Sequence, residues 1–588
     1  MTRRSVLPWR VCGLAMVCLS AAVTASAQTV QVTAANPNAG AQGTTSLVVK
    51  ISGKNFAPGA KTDFFLSGTT NPAGITVHGT QWISATEVDA TIDIADTAAL
   101  ALFDIKVTNT SGRSGKGSDL FNVIQKGGGA AQCTLTPLDT TRFQLVRALN
   151  QAVNGQPLYQ ADFGTGLAAH RATLTYATGS RDVIMVAVGT RTGKIEVFFV
   201  DPTTGALLDG TALVAGGPVQ PHVTIVTNVG NQQLAMGDVN RDGILDIVSA
   251  RYIGQGSAVR LSVGQRSANG VISYTVVTVP PPAQQGAFGY DVAIGDLDGD
   301  GFDEILVTKG SSGGKGHTSP ESPALLVYAA PNGVPSLVQT IVPPSPAGGY
   351  GPSVSVGDLN GDGLPDVAVG APGWVNGGIS VGAAVVNLST GQKPAMLQTT
   401  PIVLLPAAPY SGQGFAANVI IADTVFDPAQ QKDVVALDDY RNGNPSGEVF
   451  QGPIAASGQP STPALHLSPE SGIFDGWATK DGAVSDLNGD GLPDVVVGAP
   501  NAAPPGCLGV GVTYVYLAQG SLATGTTGWT RYRIDPPSLD AGANNAQLFG
   551  WSTVSVPGSH LFFVGEHARD VGTVAAAGQV YIYRVLSP

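Results

Sequence analysis

The chain has 588 residues, of which 43% are apolar and only 12% are charged, and it contains 77 Gly and 40 Pro. This composition is typical of turn-rich β proteins and disfavours a helical bundle. The net charge of −12 argues against a nucleic-acid-binding protein, because such proteins carry clustered Lys and Arg.

Residues 1–27 are predicted to be a signal peptide. A basic region with Arg3, Arg4 and Arg10 precedes an apolar run from Val11 to Val23, and Ala25-Ser26-Ala27 fits the small-residue cleavage pattern. The run is too short for a membrane span, and no later segment resembles one. We therefore expect cleavage near Ala27 and a secreted, periplasmic or cell-surface protein.

Cleavage would leave two cysteines, Cys133 and Cys507. An exported protein meets an oxidising environment, in which these two residues can form a disulfide. The sequence does not show whether they meet, so a disulfide and two unpaired thiols both stay open.

Residues 28–125 are predicted to form a small β-sandwich, because short strands alternate with turns over about 100 residues. The predicted strands are Ser46–Ile51, Asp63–Leu66, Ile75–Val77, Val88–Ile94, Phe103–Asn109 and Leu120–Ile124. The segments Ile51–Phe56 and Asp104–Asn109 resemble the IPT/TIG type of immunoglobulin-like domain. Residues 126–140 contain Gly127-Gly128-Gly129 and are predicted to be a linker.

Residues 141–588 contain seven units of roughly 60 residues, and a repeat of this kind determines the fold. The fourth unit has predicted strands at Ser353–Gly357, Val367–Val369, Gly382–Leu388 and Pro401–Leu405. Four short antiparallel strands per unit are typical of a propeller blade. The last unit has only three such strands, so we predict that a strand within Arg142–Asn150 completes it; the alternative is a ragged seventh blade.

Four units share an acidic nine-residue loop between their first two strands. We name these loops A to D, and their residues at positions 1, 3, 5 and 9 are Asp238, Asn240, Asp242 and Asp246 (A); Asp296, Asp298, Asp300 and Glu304 (B); Asp358, Asn360, Asp362 and Asp366 (C); and Asp486, Asn488, Asp490 and Asp494 (D). Calcium takes six to eight oxygen ligands, which these side chains and the carbonyl at position 7 can supply. The Gly at position 6 permits a sharp turn.

The donor set and the repetition both favour calcium at these loops. Oxygen ligands alone disfavour zinc and copper, and magnesium retains more of its water. The alternative is an ordinary Asp-Gly turn, but four copies at intervals of 58, 62 and 128 residues argue against it. The fifth unit lacks the pattern between Asp423 and Asp433. We therefore expect about four Ca²⁺ ions.

A Phe-Gly start, the acidic loop and a Gly-Ala-Pro close together resemble the FG-GAP repeat of integrin α-subunit propellers. Phe288-Gly289 and Phe549-Gly550 carry the first element, and Gly370-Ala371-Pro372 and Gly498-Ala499-Pro500 carry the last. The resemblance implies an all-β fold, with a seven-bladed β-propeller behind the immunoglobulin-like sandwich and calcium ions that rigidify the blades. It also implies a separate ligand face, for which we select Gly310–Ser322, Trp374–Gly378 and Ala502–Gly509.

No enzyme motif lies in the context that its chemistry requires. Gly378–Gly382 matches the nucleophile-elbow string around Ser380 but lies between two blade strands. Gly310–Thr318 lacks the Gly-Lys-Ser/Thr ending of a phosphate loop, and Asp438-Asp439 is interpreted as a solvated turn. We therefore expect no catalytic residues and a binding or adhesion module for an extracellular protein or glycan.

Two other functions stay open. Propellers also support enzymes whose sites are assembled from several blades and leave no local motif. The alternatives are therefore a secreted hydrolase or lyase, of the phospholipase- or polysaccharide-cleaving type, with its site at the channel mouth, and a purely structural surface-layer or matrix component.

Overall fold

A computed structural model describes residues 29–37, 39–66, 69–99, 102–124, 135–150, 162–176, 179–208, 220, 222–230, 232–251, 258–282, 287–310, 322–344, 348–406, 414–423, 432–437, 447–454, 465–467, 482–502, 504, 507, 509–521, 525–539, 547–571, 574 and 576–586. The chain divides into two compact units, Met1–Ala131 and Gln132–Pro588. The described residues form strands, turns and irregular segments without a helix. No helix in this part of the chain is therefore long and apolar enough to cross a membrane. The predicted signal peptide and Cys133 lie outside the described residues.

The described part of the first unit contains eight strands in two four-stranded sheets. The strands are β1 (Gln31–Asn36), β2 (Ala39–Ala41), β3 (Leu47–Lys54), β4 (Lys61–Leu66), β5 (Ile75–Ser84), β6 (Glu87–Ile94), β7 (Leu102–Thr108) and β8 (Ser114–Ile124). One sheet has the order β1-β3-β6-β5 and the other β2-β8-β7-β4. Every second residue of β6 is buried, and this face packs with Phe103 and Ile105 of the other sheet in one core. All six strands predicted here are present.

Within its described residues, the second unit contains seven four-stranded sheets and one two-stranded hairpin. Sheets 1 to 3 are β10 (Leu167–Tyr176), β11 (Gly179–Gly189), β12 (Lys194–Val200) and β13 (Val223–Val226); β14 (Gln233–Gly237), β15 (Asp246–Arg251), β16 (Ala258–Arg266) and β17 (Ile272–Thr278); and β18 (Ala287–Gly295), β19 (Glu304–Gly310), β20 (Ala324–Ala329) and β21 (Ser336–Ile341). Sheet 4 is β22 (Val354–Gly357), β23 (Asp366–Ala371), β26 (Ala383–Asn387) and β27 (Ile402–Leu404), and the hairpin of β24 (Val375–Asn376) and β25 (Ile379–Ser380) lies between β23 and β26.

Sheets 5 to 7 complete the unit in the same chain order. They are β28 (Asn418–Ala422), β29 (Asp433–Leu437), β30 (Gly447–Phe450) and β31 (Leu465–Leu467); β32 (Gly482–Ser485), β33 (Asp494–Ala499), β34 (Val512–Ser521) and β35 (Gly525–Ile534); and β36 (Phe549–Ser555), β37 (Leu561–Glu566) and β38 (Gln579–Val585) with β9 (Phe143–Leu149). Strand β9 pairs antiparallel with β38, from Phe143 opposite Val585 to Leu149 opposite Val580. The predicted strand within Arg142–Asn150 is therefore confirmed.

Each sheet packs face to face against the next, because successive side chains of a strand point to opposite faces. In β33, Val495 and Val497 face the core shared with sheet 5, and Val496 faces the core shared with sheet 7. Phe563 of sheet 7 packs with Ile184 of sheet 1 in the core that joins the last sheet to the first. This arrangement of sheets is a β-propeller. The second strands are buried on both faces, which explains their uninterrupted apolar runs.

Candidate metal centres

Loops A to D occupy the same place in sheets 2, 3, 4 and 6. Each loop connects the first strand of its sheet to the second, and its position-9 acid is the first residue of that second strand: Asp246 begins β15, Glu304 begins β19, Asp366 begins β23 and Asp494 begins β33. The four acidic loops are therefore equivalent features of a repeated unit.

The aspartate at position 1 organises the turn in every loop. One of its carboxylate oxygens accepts a hydrogen bond from the backbone N–H of the position-6 glycine, at 2.8 Å in loops A to C and 2.9 Å in loop D. These glycines have φ between 78° and 87°, a region that side chains with a Cβ rarely adopt. The structural reason proposed for Gly at position 6 is thus confirmed.

In loops A, C and D, the side chains at positions 3 and 5 are bonded to each other. The Nδ2 of Asn240 donates to Asp242 Oδ2 at 3.0 Å, and the corresponding bonds of Asn360 to Asp362 and of Asn488 to Asp490 are both 2.9 Å. These bonds hold the oxygen-bearing side chains of each loop near one another.

The position-9 acids are buried and accept hydrogen bonds from the backbone. Asp246, Asp366 and Asp494 are 0% exposed and Glu304 is 1% exposed. One carboxylate oxygen accepts from the backbone N–H at position 2 of its loop, at 2.9–3.0 Å in all four loops. In loops A, C and D, the other oxygen accepts from a backbone N–H at the end of the third strand, at 2.7–2.8 Å. We call this pair of hydrogen bonds, one from the loop and one from the third strand, the carboxylate clasp.

Burial raises the pKa of each position-9 acid, although the hydrogen bonds from the backbone lower it. The pKa rises to about 7 for Asp246, about 8 for Glu304, about 6 for Asp366 and about 7 for Asp494. A nearby cation would favour the ionised carboxylates instead.

Sheet 5 keeps part of the clasp without the acidic loop. Asp433 begins β29, is 0% exposed, and accepts a hydrogen bond from the backbone N–H of Gly452, after the third strand, at 3.0 Å. The position-9 carboxylate therefore has a structural role apart from any metal. We missed this role in the sequence, although an Asp directly before an apolar strand recurs in sheets 2, 4, 5 and 6.

Loop B differs from the others because Asp298 replaces Asn and Glu304 replaces Asp. Carboxylate oxygens of Asp296, Asp298 and Glu304 lie within 4.8 Å of one another, and this is the one such group among the described residues. The Oε1 of Glu304 is buried without a hydrogen-bond partner in the described part of the chain. An unpaired buried carboxylate oxygen is costly, and a hard divalent cation prefers oxygen ligands. Loop B therefore fits a divalent cation.

Loops A and B contact each other directly. The backbone N–H of Asp238 donates to Asp303 Oδ2 at 2.7 Å, and Arg241 donates to the carbonyl oxygen of Asp300 at 2.9 Å. Asp238, the first residue of loop A, is thus hydrogen-bonded to loop B.

The other residues selected from the sequence are only partly described. Ser380 lies in the β24–β25 hairpin, which is not the strand–turn–helix context of a nucleophile elbow. Cys507 is 6% exposed, and Cys133, with which it can form a disulfide, lies outside the described residues. Asp438-Asp439, most of Gly310–Ser322 and half of Ala502–Gly509 also lie outside them.

All four acidic loops fall within matches to known repeat families. The FG-GAP repeat matches residues 350–382 and 481–517, which contain loops C and D. The FG-GAP-like repeat matches residues 238–307, which contain loops A and B. The chain carries FG-GAP repeats. The resemblance inferred from the sequence is confirmed for these segments.

Two curated proteins match part of this chain. Integrin alpha-5 of Xenopus laevis is 31% identical over 192 residues, which are 29% of this chain and 16% of the relative. Phosphatidylinositol-glycan-specific phospholipase D of Dictyostelium discoideum is 28% identical over 113 residues, which are 18% of this chain and 12% of the relative. The chain thus spans less than a fifth of either relative. A solved structure described as the Dos1 propeller is 11% identical, with a TM-score of 0.38 and coverage of 94% of this chain and 95% of that one.

Proposed function

We propose that the chain is an exported binding or adhesion module for an extracellular protein or glycan. In this proposal residues 1–27 are a signal peptide, 28–125 an IPT/TIG-like domain, 126–140 a linker and 141–588 a propeller whose seven sheets are its seven blades. The observation that carries the proposal is the fourfold recurrence of one acidic loop, at one place in the blade, within FG-GAP segments. The match of part of the chain to an integrin α-subunit supports it.

The proposed role of the four loops is to hold about four Ca²⁺ ions. The side chains at positions 1, 3, 5 and 9 are the proposed ligands, together with the carbonyl at position 7. A bound ion would neutralise carboxylates that otherwise repel one another at the end of each blade. The position-1 hydrogen bond to the glycine and the contacts between positions 3 and 5 support this proposal, because they form the turn without consuming every oxygen lone pair.

The connectivity of the sheets supports a ligand face at the opposite end of the blades. In an antiparallel meander, the connections between strands one and two leave one end, and those between strands two and three leave the other. Loops A to D are connections of the first kind. Gly310–Ser322, Trp374–Gly378 and Ala502–Gly509 all belong to connections of the second kind. Ion sites and ligand contacts would therefore not compete for the same residues.

The test is binding of the full chain to arrays of matrix proteins and glycans, in calcium and after chelation. We expect calcium-dependent binding that is lost when Val375–Ser380 is replaced by a short glycine turn. Gly377 and Gly378 already have positive φ and open space around them, so this replacement should not disturb the blade. Binding that persists in this variant and in block replacements of the other two loops would contradict the proposed face.

A hydrolase is the second candidate function, and the match to a phospholipase D favours it. Hydrolysis of phospholipids or polysaccharides by the purified chain would support it. Turnover that persists after chelation and loop replacement would support catalysis instead of binding as the function.

A further inference from the structure

A lysine from the neighbouring sheet contacts loop B. Lys393 lies in the turn between β26 and β27 of sheet 4, whereas loop B belongs to sheet 3. Its ammonium lies 3.2 Å from Asp298 Oδ2 and in direct contact with Asp300 Oδ2. The Asp298 side chain is 4% exposed and the Lys393 side chain 47% exposed, so the lysine reaches from the surface toward a nearly buried carboxylate.

The lysine takes the place of an amide that the other three loops supply themselves. In loops A, C and D, the position-3 asparagine donates to Oδ2 of the position-5 aspartate. The carboxyl group of Asp298 has no N–H to donate, and Lys393 donates to Oδ2 of Asp300 instead. Loop B also contains five carboxylates between residues 296 and 304, compared with three in each of the other loops. A protein cation at this loop is therefore electrostatically favoured.

The lysine does not satisfy the whole cluster. Glu304 is 1% exposed, and its Oε1 has no hydrogen-bond partner within the described residues. The same carboxylate belongs to the group whose oxygens lie within 4.8 Å of Asp296 and Asp298. A divalent cation would contact all three acids, whereas Lys393 contacts Asp298 and not Glu304.

We propose that Lys393 is the resident counter-ion of loop B, and that a calcium ion binding there must displace it from Asp298 and Asp300. This inference rests on the proposed calcium function. The ammonium and the ion have the same sign and share two ligands, so each weakens the binding of the other. Loop B is then the weakest of the four calcium sites and fills last, and its filling releases the Lys393 turn of sheet 4.

The test is calcium titration of the full chain by calorimetry, with Lys393→Met and Glu304→Gln. We expect the unmodified chain to bind one ion more weakly than the others. Lys393→Met keeps the apolar stem and should strengthen this weak site by at least about tenfold. Glu304→Gln should abolish the weak site and leave the rest unchanged.

Lys50→Met is the matched control, because Lys50 is 49% exposed and pairs with Glu87 in the first unit. It removes the same charge from the chain and should leave every isotherm unchanged. An equal effect of Lys50→Met would overturn the local competition that we propose.

Hydrogen exchange of the unmodified chain gives an independent readout. Saturating calcium should slow exchange in residues 296–304 and accelerate it in residues 389–398. Unchanged or slower exchange in residues 389–398 would overturn the displacement of Lys393. Four calcium sites of equal affinity that do not respond to Lys393→Met would overturn it as well. Absence of calcium binding from all four loops would instead overturn the proposed function itself, and this inference with it.

Discussion

Asp433 accepts a hydrogen bond from the backbone N–H of Gly452 at 3.0 Å, in a sheet that has lost the acidic loop pattern. The same bond between a position-9 carboxylate and the end of the third strand occurs in sheets 2, 4 and 6. The bond from this carboxylate to the third strand thus stabilises the blade whether or not the loop before it can bind an ion.

Replacing Asp433 should therefore destabilise the chain independently of calcium. Asp433→Asn places an N–H₂ group or a weaker acceptor opposite Gly452 in a fully buried site, and we expect a loss of about 1–3 kcal/mol in the free energy of unfolding. Urea denaturation in calcium and in chelator measures this loss. Asp490→Asn is the control, since Asp490 is exposed and its replacement should have a larger effect in calcium than in chelator. An Asp433 variant whose stability loss depends on calcium would contradict the clasp.

Chelation should lower the stability of the whole propeller. A ligand that binds only the folded state stabilises it by about 2.7 kcal/mol per site at one hundred times its dissociation constant. We expect the midpoint of thermal unfolding to rise with calcium and to respond weakly to magnesium, which retains more water. Identical midpoints in calcium, magnesium and chelator would mean that loops A to D are turns without ions.

The calcium-free chain should lose stability as the pH rises. Burial in the folded chain raises the pKa from the ordinary 3.8 of Asp and 4.5 of Glu to between about 6 and about 8 at Asp246, Glu304, Asp366 and Asp494. Between about pH 4 and these folded values, each acid keeps its proton only in the folded state. The free energy of unfolding should therefore fall as the pH rises through this window.

Calcium should oppose this fall, because the ion favours the ionised carboxylates. The measurement is urea denaturation at pH 5, 6, 7 and 8 in calcium and in chelator, and we expect the difference between the two curves to grow with pH. Glu304→Gln should reduce the pH dependence in chelator. A calcium effect that is constant from pH 5 to pH 8 would argue against these acids as ligands.

Strand β9 should be essential for the seventh sheet. Phe143 is 1% exposed and packs edge-on against Tyr532 of sheet 6, with ring centroids 5.3 Å apart. Phe143→Ala should cost about 3–5 kcal/mol, and limited proteolysis should then cut the chain near β38. Gln144→Ala is the control on the same strand, because Gln144 is exposed. Equal protease resistance of the two variants would contradict this role of β9.

Repetition made much of this fold predictable from the sequence. Loops A to D, their glycines and the strands around them recur in the chain, so each copy supports the interpretation of the others. The closing strand β9 followed from a count of strands per unit. Short strands were missed, including β2, with three residues, and β13, with four.

The contacts between sheets could not be predicted in the same way. The bond between Asp433 and Gly452 joins two strands, and the pair of Lys393 with Asp298 joins two sheets. Neither pair has a sequence spacing that recurs in every unit, and each depends on how the sheets pack. The sequence therefore located the acidic loops, whereas the clasp and the loop B lysine required the structure.

The pairing of β9 with β38 joins the two ends of the second unit, and this has a consequence for biosynthesis. The strand made first in this unit has no partner until the ribosome has made the last one. A product that stops short of β38 would retain an open sheet edge, and such edges invite aggregation and proteolysis. Closure of the seventh sheet therefore requires that synthesis has passed β38, and shorter products keep an open edge.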